Sequence, residues 1–203
     1  MRKLVTLAVI TACMVFLAVA SPASAITVAA WASSPVTVGD KTFTLISTSW
    51  ASNDNINIAT FSGIYTCSVQ PVSQLLTNTT KTLTYKVKIV DDPSTPQNEA
   101  LLSHFSQISA DGNRYIASGT FTTTGVFDDN SDFSSPLATF SNAGVPTGTI
   151  AIAGTVKELY VRLTITASGG STILTSHTIA YSQASDPIAT ESETWGAIKS
   201  LYR

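Results

Sequence analysis

Two stretches of the chain alternate apolar and polar residues with a period of two, and this pattern restricts the fold more than any other feature. In KTLTYKVKIV at 81–90, the apolar face consists of Leu83, Tyr85, Val87 and Ile89. In ELYVRLTITAS at 158–168, it consists of Leu159, Val161, Leu163 and Ile165. Successive side chains of a strand point to opposite faces of the sheet, so each stretch is predicted to form a half-buried antiparallel strand.

Similar Thr- and Ser-rich runs recur along the chain, and turn signals separate them. We predict about nine or ten strands, at 26–30, 35–38, 42–49, 54–61, 63–69, 81–90, 114–123, 147–153, 157–167 and 172–182. Gly169-Gly170 predicts a hairpin between the last two, and Asp111-Gly112-Asn113 predicts a turn before 114–123. The segment 100–109 fits a strand or a helical turn, and 124–146 is expected to be a long loop or an irregular edge strand.

Short strands without interleaved helices predict an all-β fold. The favoured architecture is an antiparallel two-sheet sandwich, jelly-roll or immunoglobulin-like, rather than a closed barrel. The sandwich domain is assigned to residues 26–185, a length that suits one well-buried core.

The first 25 residues are predicted to be a secretory signal peptide. A short basic start, MRK, precedes a long apolar run, and SPASA places Ala23 and Ala25 at the positions that a signal peptidase reads. A transmembrane anchor is one alternative. A lipoprotein signal is another, because Ile10-Thr11-Ala12-Cys13 has the form of a lipid-attachment box. The expected location is secreted, extracellular or in the cell envelope, and the leader is typical of bacteria.

Charge and cysteine content exclude several classes of protein. Of 11 basic residues, Arg2 and Lys3 belong to the leader, which leaves 9 basic against 13 acidic residues. A mildly acidic domain without a basic cluster is not expected to bind nucleic acid. Cys67 is the one cysteine left after cleavage, so no internal disulfide is expected, and a lone cysteine is usually a buried apolar side chain.

No catalytic motif occurs, and the domain is predicted not to be an enzyme. His104 and His177 are the two histidines, and His177 is expected to be a hydrogen-bonded, partly buried strand residue. Neither G-x-S-x-G nor H-E-x-x-H is present. A hydrolase whose residues converge only in space is kept as a further hypothesis.

The segment DDNSD at 128–132 is the one candidate metal site. Asp128, Asn130 and Asp132 form D-x-N-x-D, which opens several calcium loops because hard oxygen ligands at alternate positions can surround the ion. The later positions of that pattern hold Phe133 and Thr139 instead of Gly and Glu. A solvated acidic loop is therefore favoured, with a weak calcium site as the alternative and no other cofactor.

Trp31 and Trp50 are the candidate ligand-binding residues. Each is followed by small polar residues, in WASS and WASND, at what the pattern predicts to be a strand end. Exposed aromatic rings on a β-sandwich can stack against sugar rings, but packing in the core or at a sheet edge is the favoured interpretation.

The segment 186–203 is predicted to contain a short amphipathic helix. Thr190 and Glu193 have capping-box spacing, and one helical face carries Trp195, Ile198, Leu201 and Tyr202. So short a helix is marginal alone in water, so it is expected to dock. Its partner is either its own sandwich or a sorting system that reads the tail.

The phrase VGDKTF at 38–43, the strand YKVKIV and the late pair LYVRLTI and HTIAYS resemble a loose set of secreted bacterial β-sandwich proteins of unknown function. Many of these carry a C-terminal PEP-CTERM sorting signal. The resemblance implies an exported envelope or matrix domain and supplies no catalytic residue. This chain lacks the Pro-Glu-Pro signal, so the sorting step of that set is in doubt here.

These observations support two functional hypotheses. The first is an exported, non-enzymatic structural or surface domain that contacts an envelope or matrix component, with no transmembrane anchor after leader cleavage. The alternative is a carbohydrate-binding module that uses Trp31, Trp50 and the calcium loop.

Overall fold

The computed structural model describes residues 24–116, 118–142 and 148–186. The predicted leader, except its last two residues, and the predicted helix of the tail lie outside these ranges. The elements in these ranges are β1 (Ser24–Thr27), α1 (Val28–Ser33), β2 (Val36–Val38), β3 (Lys41–Thr48), β4 (Asn55–Phe61), β5 (Ile64–Gln70), β6 (Leu75–Ile89), α2 (Glu99–Leu102), β7 (Ser103–Ile116), β8 (Thr120–Asp128), β9 (Ala138–Asn142), β10 (Ile150–Ala151) and β11 (Glu158–Ser185).

The long strand β11 joins two layers of sheet. Its first half pairs with β6 on one side and β8 on the other, and its second half pairs with β5 and β7. All pairings are antiparallel, which gives one layer in the order β2-β3-β6-β11-β8-β9 and another in the order β1-β4-β5-β11-β7-β10. The sheet curls over at β11, so the predicted all-β antiparallel sandwich is confirmed.

Three segments bend together where the layers join. The register of β11 against β6 shifts between Ala167 and Ser171, and Gly169 has a φ of 69°. In the neighbouring β6, Asn78 has a φ of 43°. Beside the other edge of β11, the junction of β7 and β8 holds Gly119 at a φ of 80°. Bulges and positive-φ residues let a chain pass from one sheet into another, and all three segments do so here at the same level.

The predicted hairpin at Gly169-Gly170 is therefore wrong, since β11 continues through it. The glycines serve a bulge within one strand, because the segments on either side find partners in different layers. The predicted turn at Asp111-Gly112-Asn113 is also wrong, because these residues pair with Thr178, His177 and Ser176 of β11 inside β7.

The predicted strand at 26–30 gives way after Thr27 to a helical turn. The Thr27 side chain caps α1 by accepting a hydrogen bond from Ala30 N at 3.2 Å. Elsewhere β6 begins six residues before the predicted 81, and 100–109 divides between α2 and β7. The predicted loop 124–146 contains the end of β8 and the edge strand β9. No helix in the described part of the chain is long and apolar enough to cross a membrane.

The phrase VGDKTF forms the hairpin of β2 and β3. Gly39 has a φ of 54°, and a Cβ at this position would lie 2.8 Å from the Tyr65 hydroxyl, so glycine is favoured on both counts. Asp40 and Lys41 are buried as an ion pair, and Phe43 enters the core. The VGDKTF motif thus has a structural role in this fold.

Candidate functional site

An open cleft of about 410 Å³ lies where two loops meet the start of β6. The loop 49–54 follows β3, and the loop 71–74 follows β5. The lining of the cleft includes Trp50, Asn53, Val72, Leu75, Thr79 and Lys81. Concave sites with an apolar wall and a few polar groups are where proteins usually bind small ligands, so this cleft is the candidate site.

Asp54 holds the two loops of the cleft together. Its side chain accepts hydrogen bonds from the backbone N–H groups of Ala51 and Val72, each at 2.8 Å. The Asp54 carbonyl also accepts from Val28 N at 2.8 Å, which ties the loop to α1. Asp54 is 5% exposed, and both of its carboxylate oxygens serve this architecture. The residue therefore shapes the cleft and does not face it as a free acid.

Trp50 forms the floor of the cleft. Its side chain is 6% exposed, and its buried Nε1–H has no hydrogen-bond partner in the structure. The Lys81 ammonium lies 5.7 Å from the Trp50 ring centroid and donates to Ser49 O at 3.1 Å. Lys81 therefore supplies a hydrogen-bond donor on this side of the cleft, whereas the indole N–H of Trp50 is buried.

Two exposed aliphatic side chains border the same cleft. Val72 and Leu75 are each 58% exposed although both are apolar. Asn53, Thr77 and Thr79 supply amide and hydroxyl groups around them. The cleft therefore combines an apolar surface with neutral polar groups and one cation, which suits a ligand that has both apolar C–H groups and hydroxyls.

Neither predicted tryptophan is an exposed platform. Trp31 is 1% exposed, donates from Nε1 to Phe43 O at 3.1 Å and lies 5.5 Å from Tyr85 between ring centroids. It is a core residue, because α1 turns its side chain between the two layers. Trp50 keeps a place in the candidate site, as the floor of the cleft and not as a stacking surface.

In the predicted calcium loop, the carboxylates of Asp128 and Asp132 accept hydrogen bonds from backbone N–H groups of the loop itself. Asp128 is buried, and its two oxygens accept from Asn130 N and Ser135 N, both at 3.0 Å. Burial alone would raise the pKa of Asp128, but the hydrogen bonds from the Asn130 and Ser135 backbones, together with those from Asp129, outweigh it and lower the pKa. Asp132 accepts from Ser134 N at 3.1 Å. Within the described ranges, no group of three or more His, Cys, Asp or Glu side chains is placed to hold a metal ion.

His104 belongs to a polar cluster at the end of β11. Its Nδ1 lies 2.8 Å from Asp186 Oδ1, and Lys157 Nζ lies 2.6 Å from Asp186 Oδ2. Lys157 also donates to Leu101 O at 2.6 Å, at the end of α2. The hydrogen bond from Lys157 is the main cause that lowers the pKa of Asp186. This cluster fastens α2 to β11.

His177 is more buried and less well paired than its sequence pattern predicts. It is 1% exposed, and neither ring nitrogen has a hydrogen-bond partner in the structure. The ring stacks on Phe140 with centroids 6.4 Å apart. Burial, assisted by the charge of Arg114, lowers the pKa of His177 to about 4. The expectation of a satisfied strand histidine is corrected, and the residue is a neutral core group.

Cys67 is buried and free, as predicted. Burial raises the pKa of its thiol to about 12, so the group is not a reactive thiolate. The predicted recognition face of the tail, formed by Trp195, Ile198, Leu201 and Tyr202, lies outside the described residues.

No protein-family model matches the chain, and no curated protein matches it in sequence. Among solved structures, TmCBM61 in complex with beta-1,4-galactotriose aligns with a TM-score of 0.36 and 7% identity, over 71% of this chain and 88% of that one. The carbohydrate-binding module CBM6cm-2 from Cellvibrio mixtus lichenase 5A, in complex with cellotriose, gives a TM-score of 0.30 and 13% identity over 66% and 96%.

A cellulase derived from Cel12A of Rhodothermus marinus aligns with a TM-score of 0.29 and 9% identity, over 81% of this chain and 96% of that one. Likenesses of this size carry no argument about function.

Most residues of the cleft were missed from the sequence because they come from three separate segments. Asn53, Val72 and Lys81 have no common spacing, and only the fold brings them together. Two weak signals were present. The polar run after Trp50 marks a loop, and Leu75-Leu76 breaks the alternation of β6, which indicates an apolar side chain left outside the core.

Proposed function

We propose that the chain is an exported, non-enzymatic β-sandwich domain of the cell surface or extracellular matrix, and that its cleft beside Trp50 binds a glycan. The observation that carries this proposal is the composition of the cleft. Val72 and Leu75 offer an apolar wall, while Asn53, Thr79 and Lys81 offer polar groups on the other sides. A sugar ring has apolar C–H patches and a rim of hydroxyls, so it matches both kinds of surface.

Binding without catalysis follows from the acids of the cleft. Among the described lining residues, Asp54 is the one carboxylate, and backbone N–H groups occupy both of its oxygens. Hydrolysis of a glycosidic bond normally requires two carboxyl groups across the scissile bond. A panel of glycoside, ester and peptide substrates should show no turnover, and turnover that depends on a cleft residue would overturn this part of the proposal.

A glycan array followed by calorimetry tests the binding. We expect Leu75→Ser and Lys81→Met to weaken binding of the best glycan by at least about tenfold, or roughly 1.4 kcal/mol each. Lys88→Met is the matched control, because Lys88 lies on the same strand with its side chain 56% exposed and outside the cleft. Absence of binding to any glycan, or equal binding by all three variants, would refute the proposal.

Export is supported by the leader pattern at 1–25 and by the resemblance carried by VGDKTF. Strand β1 begins at Ser24, so cleavage after Ala25 would leave Ile26 and Thr27 to pair with Ile56 and Asn55 of β4. Mass spectrometry of the protein from its own cells would show whether the mature chain begins at Ile26 and whether Cys13 is lipidated. A product that retains the leader would refute cleavage.

The tail is proposed to be a separate module that a sorting or anchoring system recognises. Deletion of 187–203 distinguishes this role from packing on the sandwich. Intact folding with altered location supports recognition, whereas normal location with lower stability supports packing. The double variant Trp195→Ala and Leu201→Ala keeps the full chain length, and it should show the same location and stability as the deletion.

A further inference from the structure

Lys41 is the most deeply buried cation of the described sandwich, and the glycan proposal gives it no role. The residue is 0% exposed. Its Nζ lies 2.7 Å from Asp40 Oδ1 and donates a hydrogen bond to Gln183 Oε1. Lysine is almost never fully buried unless it is paired, and here Asp40 and Gln183 are its partners.

The surroundings of Lys41 favour a neutral amine. Nζ lies 4.4 Å from the ring centroid of Tyr65 and 5.7 Å from that of Phe105. Burial among these rings lowers the pKa of Lys41, although Asp40 opposes the shift and the more distant Glu99 opposes it weakly. A neutral amine is nucleophilic, and an adjacent carboxylate can accept its proton.

The group that faces this amine is a carboxamide. Gln183 contributes Oε1 to the contact with Nζ, and its carbonyl carbon Cδ is one covalent bond away from Oε1. The nucleophile therefore lies within reach of an acyl carbon, held there by the packing of two sheet layers. Gln183 also lines an open cleft of about 290 Å³, through which a small leaving group could escape.

We propose that Lys41 and Gln183 form an intramolecular isopeptide bond, with Asp40 as the catalytic proton carrier. The lone pair of Nζ attacks Cδ of Gln183, and a new Nζ–Cδ bond forms. Asp40 accepts a proton from Nζ and passes it to Nε2 of Gln183 as the Cδ–Nε2 bond breaks. Ammonia leaves, Asp40 returns to its carboxylate form, and no oxidant or reductant is needed.

The position of the bond would make it useful to an exported domain. Lys41 lies in β3 of one layer, and Gln183 lies in the second half of β11, in the other layer. The two residues are 142 positions apart. A covalent link that closes a long loop restricts the unfolded chain, so it stabilises the folded state. This sandwich contains no disulfide in its described part, and the isopeptide bond would take that place.

Intact-mass spectrometry of the purified full chain, incubated until its mass is constant, tests the proposal. Relative to the mass that its sequenced termini require, we expect a deficit of one ammonia molecule. Tryptic digestion should give a branched peptide that joins Lys41 to Gln183. A chain at its full encoded mass, or an ammonia deficit that maps to another residue, overturns the proposal.

Substitutions of Lys41, Gln183 and Asp40 test the role proposed for each residue, and the mass readout does not require a fully stable variant. Gln183→Leu and Lys41→Met should each restore the full encoded mass, and Asp40→Asn should slow or prevent the loss of ammonia. Gln107→Leu is the matched control, because Gln107 is an exposed glutamine of β7 and its replacement should leave the deficit intact. The mass of a poorly folded variant can still be measured, but poor folding alone would also prevent the reaction. Gln183→Glu is therefore compared with the other variants, and it should lose water instead of ammonia if the site reacts.

Discussion

The hydroxyl groups of Tyr85 and Tyr181 hydrogen-bond to each other in the centre of the sandwich, one from each layer. Both side chains are 0% exposed. Burial raises the pKa of each well above the ordinary value, so both phenols stay protonated and one donates to the other. The Cys67 thiol joins the network through Tyr85. The two layers therefore meet through a polar contact inside an apolar core.

The contributions of these two hydroxyls to the free energy of unfolding should not be additive. Tyr85→Phe leaves the Tyr181 hydroxyl buried without its partner, and we expect a loss of about 1–3 kcal/mol in the free energy of unfolding. The double variant with Tyr181→Phe should lose less than the sum of the single variants, because no buried hydroxyl is then unpaired. Urea unfolding measures all three, and strictly additive losses would contradict the pairing.

Alanine substitutions at Gly119 and Gly63 distinguish the cost of backbone strain from the cost of a steric clash. Both have positive φ, 80° and 76°. A Cβ on Gly119 would lie 2.3 Å from Ser168 O, whereas a Cβ on Gly63 would have nothing within 4 Å. Gly63→Ala should cost roughly 1–2 kcal/mol, the usual penalty of a left-handed residue. Gly119→Ala should cost clearly more, since the corner of the sandwich must open. Thermal unfolding compares them, and equal shifts would argue against a closed corner.

Local sequence patterns predicted a strand correctly where the prediction did not depend on which strands it pairs with. The alternation at 81–90 and 158–168 reports burial of one face directly, and the structure places both stretches in strands. The Gly169-Gly170 prediction failed because positive φ is needed equally by a hairpin and by a bulge. The choice between them depends on β5, β7 and β8, which pair with β11 from distant parts of the chain.

The candidate site was less predictable than the fold, for the same physical reason. The pattern around Trp31 and Trp50 is nearly the same, yet α1 buries the first between the layers and leaves the second under a cleft. Aromatic side chains are buried or exposed by what packs on them, which a strand pattern does not contain. Lys41 and Gln183 likewise have no local signal that would join them.

His177 should make the fold sensitive to mild acid. Its pKa is about 4 in the folded protein and near 6.5 in an exposed histidine. Above pH 6.5 neither state takes up a proton there, so the stability is complete. Between pH 6.5 and 4 the unfolded state binds a proton that the folded state excludes, so stability falls by up to about 3 kcal/mol. Urea unfolding across this pH range measures the slope.

Replacement of His177 identifies the source of that slope. Asp111 and Arg114 are the charged neighbours whose fields act on the ring, and burial is the larger effect. His177→Leu should flatten the profile between pH 6.5 and 4, whatever its stability at pH 7. His104→Gln is the control, because that histidine lies in the Asp186 cluster and not beside Phe140. A profile that His177→Leu leaves unchanged would contradict the assignment.

Asp54 should couple the stability of the fold to the shape of the candidate cleft. Asp54→Asn keeps one acceptor oxygen but turns an amide N–H₂ toward one of the two backbone donors, so either Ala51 or Val72 loses its hydrogen bond. For a buried group we expect a cost of about 1–3 kcal/mol. We also expect weaker glycan binding, because the loops 49–54 and 71–74 are no longer held together.

Asp132→Asn is the matched control: its carboxylate also accepts a backbone N–H, at 3.1 Å, but it is exposed and does not line the cleft. That change should stay within about 0.5 kcal/mol and leave binding intact. Equal effects in urea unfolding and calorimetry would show that Asp54 does not organise the cleft.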